Sequence, residues 1–109
     1  DTGKRPEMGR VAATLADRVI VTTDNPRSED PSAIASAVVR GVREAGSRRW
    51  SVDLDRATAD NAAISGARTG DVVLVAGKGH EDYQEANGVR TPFSDAEAAA
   101  AALTRRVAG

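Results

Sequence analysis

Short runs of β-branched residues alternate with stretches of helical spacing along this 109-residue chain, and that alternation restricts the fold more than any other feature. Val19, Ile20 and Val21 make a continuous apolar run inside Arg18–Thr22, the pattern of a strand buried on both faces. Ahead of it, Pro6 suits a first helical turn, where its missing N–H is not needed. Met8, Val11, Ala12, Leu15 and Ala16 then recur at helical spacing. Behind it, residues 23–30 (TDNPRSED) read as a loop. Asp30 is placed to cap a second helix, with Pro31 at its first position. That helix is expected to bury Ile34, Ala35, Val38, Val39 and Val42 and to stop near Gly46. A second strand is expected around Trp50–Leu54, and Asp55 is placed to cap a third helix over Arg56–Ala67. Thr69-Gly70-Asp71 turns the chain into Val72–Val75, the strongest strand pattern, which Gly77-Lys78-Gly79 breaks. Glu81 to Phe93 reads as short extended pieces around an Asn87-Gly88 turn, a hairpin signal. Ser94 and Glu97 form a capping-box pattern for a last helix through the alanines to about Val107.

Strands alternating with helices in this way specify an α/β fold. The expected architecture is Rossmann-like: a mostly parallel sheet with helices on both faces, ending in a C-terminal hairpin and helix. Right-handed crossovers supply the two helical faces. Three parallel-type strands are fewer than a doubly wound sheet normally holds, so one or two strands are expected to precede Asp1 in a parent protein. The length suits a single domain, here a partial one spanning residues 1–109.

Composition narrows the function classes. With 40% hydrophobic and 28% charged residues, the chain falls in the ordinary globular class. Its formal net charge is -1 and no Lys/Arg cluster dominates any stretch, which argues against a nucleic-acid surface. No apolar run reaches the roughly 20 residues of a membrane helix, and none is expected to enter a membrane. The absence of cysteine excludes disulfides, thiol catalysis and cysteine-metal sites within these residues. A single histidine, His80, with no partner of metal-ligand type predicts no metal site.

Ligands of parallel α/β sheets bind at the edge carrying the strand C-terminal ends. Two loops are expected there: Asp24-Asn25-Pro26-Arg27 after the first strand and Gly77-Lys78-Gly79-His80-Glu81 after Val72–Val75. Their residue types suit a zwitterion. Arg27 offers a planar donor fork for a carboxylate. Asp24 and Glu81 offer acceptors for an ammonium group, Asn25 donates or accepts, and Gly77 with Gly79 lets backbone approach a ligand. Plainer readings stand beside this one. Asp-Asn-Pro-Arg after a strand is most often a turn with a solvated arginine. The glycine loop lacks the spacing and following helix of a P-loop, so a phosphate cradle is the weaker alternative. His80 beside acidic neighbours is most often a structural hydrogen-bonder.

Taken in order, four segments are more specific than any one of them. They are D-x-G-K-R-P-x-M-G at 1–9, D-N-P-R-x-E-D-P at 24–31, G-D-V-V-L-V-A-G-K-G-H-E-D-Y-Q at 70–84 and P-F-S-D at 92–95. Together they resemble the C-terminal domain of UDP-N-acetylmuramoyl-tripeptide synthetases, the MurE-type Mur ligases. The resemblance extends over essentially the whole chain and is least diagnostic from Ser47 to Gly66.

The resemblance implies a cytoplasmic, ATP-dependent enzyme that adds the third amino acid to UDP-MurNAc-L-Ala-D-Glu. ATP, with magnesium, phosphorylates the substrate carboxylate; the incoming amine attacks the acyl phosphate, releasing ADP and phosphate. It further implies that Asp24, Asn25, Pro26 and Arg27 form the recognition motif for meso-diaminopimelate, and that Gly77 and Glu81 match two more of its binding positions. No catalytic residue is implied in this chain. The ATP- and magnesium-binding loop and the UDP-sugar site belong to family domains not represented in these residues, so the 109 residues alone are expected to be inactive.

Diaminopimelate resembles lysine with an extra carboxylate. If Arg27 pairs with that group, lysine leaves it unpaired at a cost of roughly 2–5 kcal/mol in a desolvated site. That amounts to roughly one to three and a half decades of discrimination. A stand-alone module that binds an amino acid or nucleotide without chemistry is the competing reading, and a sibling Mur ligase with another substrate is a weaker third. Unpaired strand edges carry a further expectation, self-association through an open sheet edge.

Overall fold

A computed structural model describes residues 4–26, 28–76 and 83–108. In chain order the elements are α1 (Arg5–Leu15), β1 (Val19–Val21), α2 (Pro31–Glu44), β2 (Trp50–Val52), α3 (Arg56–Gly66), β3 (Tyr83–Ala86), β4 (Val89–Pro92) and α4 (Asp95–Ala108). The class is α/β, as the sequence pattern requires. β1 and β2 pair in parallel, Val19 opposite Trp50 and Val21 opposite Val52. β3 and β4 pair antiparallel, Tyr83 opposite Pro92 and Ala86 opposite Val89.

The helix boundaries follow local chemistry. The Asp30 carboxylate accepts the Ser32 N–H at 2.9 Å, with Pro31 next in line as the first helical residue. Asp55 accepts from Ala57 N at 3.1 Å and Thr58 N at 3.4 Å. The Ser94 hydroxyl accepts the Glu97 N–H at 3.3 Å. Each cap satisfies donors that the first helical turn leaves without intrahelical partners. Asn87 and Gly88 both take positive φ, 51° and 78°, the backbone of the tight hairpin turn their sequence predicted.

The core lies between α2 and β1. Val21, Ala35, Val39 and Val42 are buried, and Ala13, Val19, Val38 and Trp50 pack on them. α1 lies against α2 at two glycines. A Cβ on Gly9 would collide with the Val38 carbonyl oxygen, and one on Gly41 with that of Pro6. This close crossing explains a departure from the expected pattern of α1. Its buried positions are Pro6 and Gly9, whereas Met8, Val11 and Leu15 are exposed. Backbone proximity, rather than the larger apolar side chains, selects the contact face.

The second correction concerns Val72–Val75, which forms no strand and pairs with no other among the described residues. The mostly parallel sheet is therefore reduced to the β1–β2 pair. Exposure still alternates along the segment: Val72 is 92% and Leu74 86% exposed, against 38% for Val73. Val73 and Val75 line a groove with Ile64 of α3 and Ala99 and Leu103 of α4. The segment is more shielded on one side than the other, the alternation of an extended chain. Apolar content alone does not make a ladder, because a ladder also needs a neighbour with free N–H and C=O groups in register. Beyond this groove, α4 docks along α3 through Arg106, which donates to the Ile64 carbonyl at 2.6 Å, and Arg105, which donates to Asn61 at 2.7 Å.

Candidate functional site

β1 ends at Val21, and the loop after it contains Asp24, Asn25 and Pro26 of the predicted motif. Pro26 is buried and Asp24 and Asn25 are half-buried, while Arg27, the solvated residue of the plainer reading, lies outside the described residues. The Pro26 carbonyl accepts the Glu29 N–H at 2.9 Å. Glu29 in turn receives a two-pronged ion pair from Arg5 at the start of α1, both bonds 2.9 Å. The Arg5 hydrogen bonds lower the Glu29 pKa, and Glu29 raises that of Arg5. Arg27, Gly77 and Glu81, the other expected site residues, lie outside the described residues, as do Lys78, Gly79 and His80.

The hairpin holds the loop from one side. Asn25 Oδ1 accepts the backbone N–H of Glu85 at 2.9 Å. Gln84 Nε2 donates to Thr23 Oγ1 at 3.2 Å and to the Asp24 carbonyl at 3.4 Å. Thr23 Oγ1 itself donates to the Leu54 carbonyl at 2.8 Å, tying the ends of β1 and β2 together. The Oδ1 of Asn25, a residue expected to donate or accept at the site, pins the loop to β3.

A buried arginine holds it from the other side. Arg56, only 3% exposed, donates to the Thr23 carbonyl at 2.9 Å and to the Ala76 carbonyl at 3.0 Å. Thr23 directly precedes the Asp24 motif, and Ala76 directly precedes Gly77. The segments leading into the two loops, fifty positions apart when counted from residue 27 to residue 77, thus meet on one guanidinium. The rest of the fork grips Asp95, Nε to Oδ1 at 2.7 Å and Nη2 to Oδ2 at 2.6 Å. Burial works against the Arg56 charge, but the Asp95 hydrogen bonds and the charges of Asp95, Asp60 and Asp24 outweigh it, and its pKa is raised.

Asp60 completes the cluster. It lies four residues after Arg56 on α3, on the same helix face, and is 4% exposed. Its Oδ2 has no hydrogen-bond donor among the described residues. Burial, a hydrogen bond with Asp95 and the Asp95 charge push its pKa up to about 7, with Arg56 pulling the other way. Of the acids around Arg56, Asp60 is thus the one held toward its protonated form. The sequence reading missed Arg56, Asp60 and Asp95. One signal was present: an arginine at the first position of a helix opposes the positive end of the helix dipole, which calls for anionic partners elsewhere in the fold.

The fold is of the α/β class, in which ligands bind at the edge carrying the strand C-terminal ends, and the Asp24–Pro26 loop follows the C-terminal end of β1. The chain belongs to the Mur ligase family, matching its glutamate ligase domain over residues 1–79. It is 55% identical over 106 residues to a UDP-N-acetylmuramoyl-L-alanyl-D-glutamate--2,6-diaminopimelate ligase of an Acidovorax species, covering 97% of this chain and 21% of that one. It is 54% identical over 104 residues to the ligase of that name from Chromobacterium violaceum, covering 95% of this chain and 20% of that one. A solved structure of a UDP-N-acetylmuramoyl-L-alanyl-D-glutamate--2,6-diaminopimelate ligase superposes with a TM-score of 0.89 at 42% identity, over 98% of this chain and 22% of that one. The chain thus spans about a fifth of the length of the relatives it matches.

Proposed function

We propose that this chain is the amino-acid-recognising, C-terminal part of an ATP-dependent ligase. The ligase adds meso-diaminopimelate to UDP-MurNAc-L-Ala-D-Glu during assembly of the peptidoglycan precursor. The supporting observation is the Asp24–Pro26 loop, held at the end of β1 by Glu85 and Arg56 in a chain 55% identical to a ligase named for diaminopimelate. In this reading Asp24, Asn25, Pro26, Arg27, Gly77 and Glu81 form the amino-acid subsite, with Arg27 on the carboxylate that lysine lacks. ATP and magnesium serve the phosphorylation step and are bound by other domains of the ligase, as is the UDP-linked substrate. The reaction belongs to the cytoplasm, where ATP is available, and among the described residues no helix is long and apolar enough to cross a membrane.

Titration of meso-diaminopimelate and lysine against the complete ligase, with its nucleotide substrate bound, tests this function. Arg27→Ala should weaken use of meso-diaminopimelate by roughly one to three and a half decades, from roughly 2–5 kcal/mol, and leave ATP binding nearly untouched. Equal loss of both would make Arg27 structural. The 109-residue chain alone should show no ATP-dependent ligation, and a measurable rate from it would refute the reading as a part. Beyond its pairing with β2, β1 has no ladder partner among the described residues, which supports self-association through that edge. A strictly monomeric sedimentation profile counts against it.

A further inference from the structure

We propose that Arg56 is a positioning residue for the amino-acid subsite, setting the distance between the backbone at Thr23 and the backbone at Ala76. The proposal rests on the function given above and goes beyond it, because Arg56 belongs to neither motif.

Four segments meet on this one side chain: its own helix α3, the end of β1 at Thr23, the chain at Ala76 and the first residue of α4 at Asp95. Nη1 takes one loop-leading carbonyl and Nη2 the other. These nitrogens belong to a rigid plane, so the two backbone carbonyls cannot drift apart independently. Asp95 fixes the plane itself through two parallel bonds, the pairing that gives a guanidinium its orientation. From the far side, Gln84 and Glu85 of β3 hold Thr23, Asp24 and Asn25. The motif loop is thereby clamped between the hairpin and the arginine.

Stability alone is a poor reason for this arrangement. Buried ion pairs are often replaced by apolar residues of similar volume with no loss. Here the cation also sits at the unfavourable end of its own helix. What an apolar residue cannot do is hold two carbonyls from separate loops in one plane. Lysine cannot do it either, because a single ammonium lacks the planar fork. A ligand held by residues that follow Thr23 and by residues that follow Ala76 depends on the separation of those two anchor points, and small misplacements of positioned groups are costly in recognition.

The test uses the complete ligase carrying this domain, with Arg56→Lys and Asp95→Asn. Michaelis constants are measured separately for meso-diaminopimelate, ATP and the UDP-linked substrate. For Arg56→Lys, the constant for meso-diaminopimelate should rise roughly tenfold or more while the other two stay within about twofold. Asp95→Asn, which loosens the fork without removing it, should change the same constant alone by a smaller factor. If the lysine variant fails to fold, Asp95→Asn decides on that criterion. Three unchanged constants, or three that rise together, overturn the positioning role. The wild-type enzyme is measured first. If it uses another amino acid, the functional reading fails, and the Arg56 test is run with that amino acid instead.

Discussion

Arg56 and Asp95 meet fork to fork, Nε on Oδ1 at 2.7 Å and Nη2 on Oδ2 at 2.6 Å, and this pair joins the first residues of α3 and α4. Its side chains are 3% and 20% exposed, so water screens it far less than the Arg10–Glu44 pair, whose side chains are about half exposed. Replacing Asp95 by Ala leaves a buried guanidinium with two carbonyls and without its hydrogen-bonded carboxylate. The expected loss is about 2–4 kcal/mol, read from urea denaturation of the 109-residue chain beside Glu44→Ala, expected to cost at most about 1 kcal/mol. Equal shifts for the two variants would show that burial adds nothing to the Arg56 pair.

Asp60 makes stability depend on pH in an unusual direction for an acid. Its pKa in the folded chain is about 7, above the ordinary 3.8. Between those values the folded chain holds a proton that the unfolded chain has released, so raising the pH favours unfolding. The contribution is complete below about 4 and is lost as the pH rises through about 7. Asp60→Asn mimics the protonated form and should be more stable than the wild type at pH 8, with about 4 kcal/mol as a ceiling from 1.4 kcal/mol per unit. Near pH 4 the two should converge. Parallel stability curves from pH 5 to 8 would rule out a proton on Asp60. Glu29 acts in the opposite sense and in a lower window, since Arg5 lowers its pKa and its contribution is lost as acid protonates it.

Asn25 should matter to the hairpin before it matters to any ligand. Its Oδ1 is the acceptor for the Glu85 N–H. Asn25→Ala removes that acceptor and should cost about 1–2 kcal/mol, whereas Asn25→Asp keeps an oxygen in place. Hydrogen exchange at the Glu85 amide is the direct measurement. Faster exchange in the alanine variant and near wild-type protection in the aspartate variant are expected, and identical protection in all three would break the link.

Gly41 offers a test in which two effects have opposite signs. Helix propensity favours alanine over glycine by about 1 kcal/mol. The Cβ of an alanine, however, would collide with the Pro6 carbonyl across the α1–α2 crossing, and overpacking costs about 1–3 kcal/mol. The collision is with backbone rather than a flexible side chain, so net destabilisation is expected for Gly41→Ala. A higher melting temperature for that variant would mean that α1 is not held at this distance.

Much of the fold was legible because its signals are local. Asp30, Asp55 and Ser94 cap helices by bonding to amides two or three residues away, and Asn87-Gly88 needs only its own backbone to turn. The position of the Asp24 loop after β1 was legible for the same reason, and the order of motifs along the chain carried the family. What the sequence alone could not decide was anything requiring a partner distant along the chain. Val72–Val75 has the composition of a strand, but a ladder depends on a second segment in register. Met8, Val11 and Leu15 have the spacing of a buried face, but the glycine contact with α2 turned that face outward. Arg56 looked like an ordinary helix-start residue until folding brought Thr23, Ala76 and Asp95 to its five N–H groups. Local hydrogen bonds and periodicity are written in neighbouring residues, whereas the convergence of buried charges from four segments exists only in the folded chain.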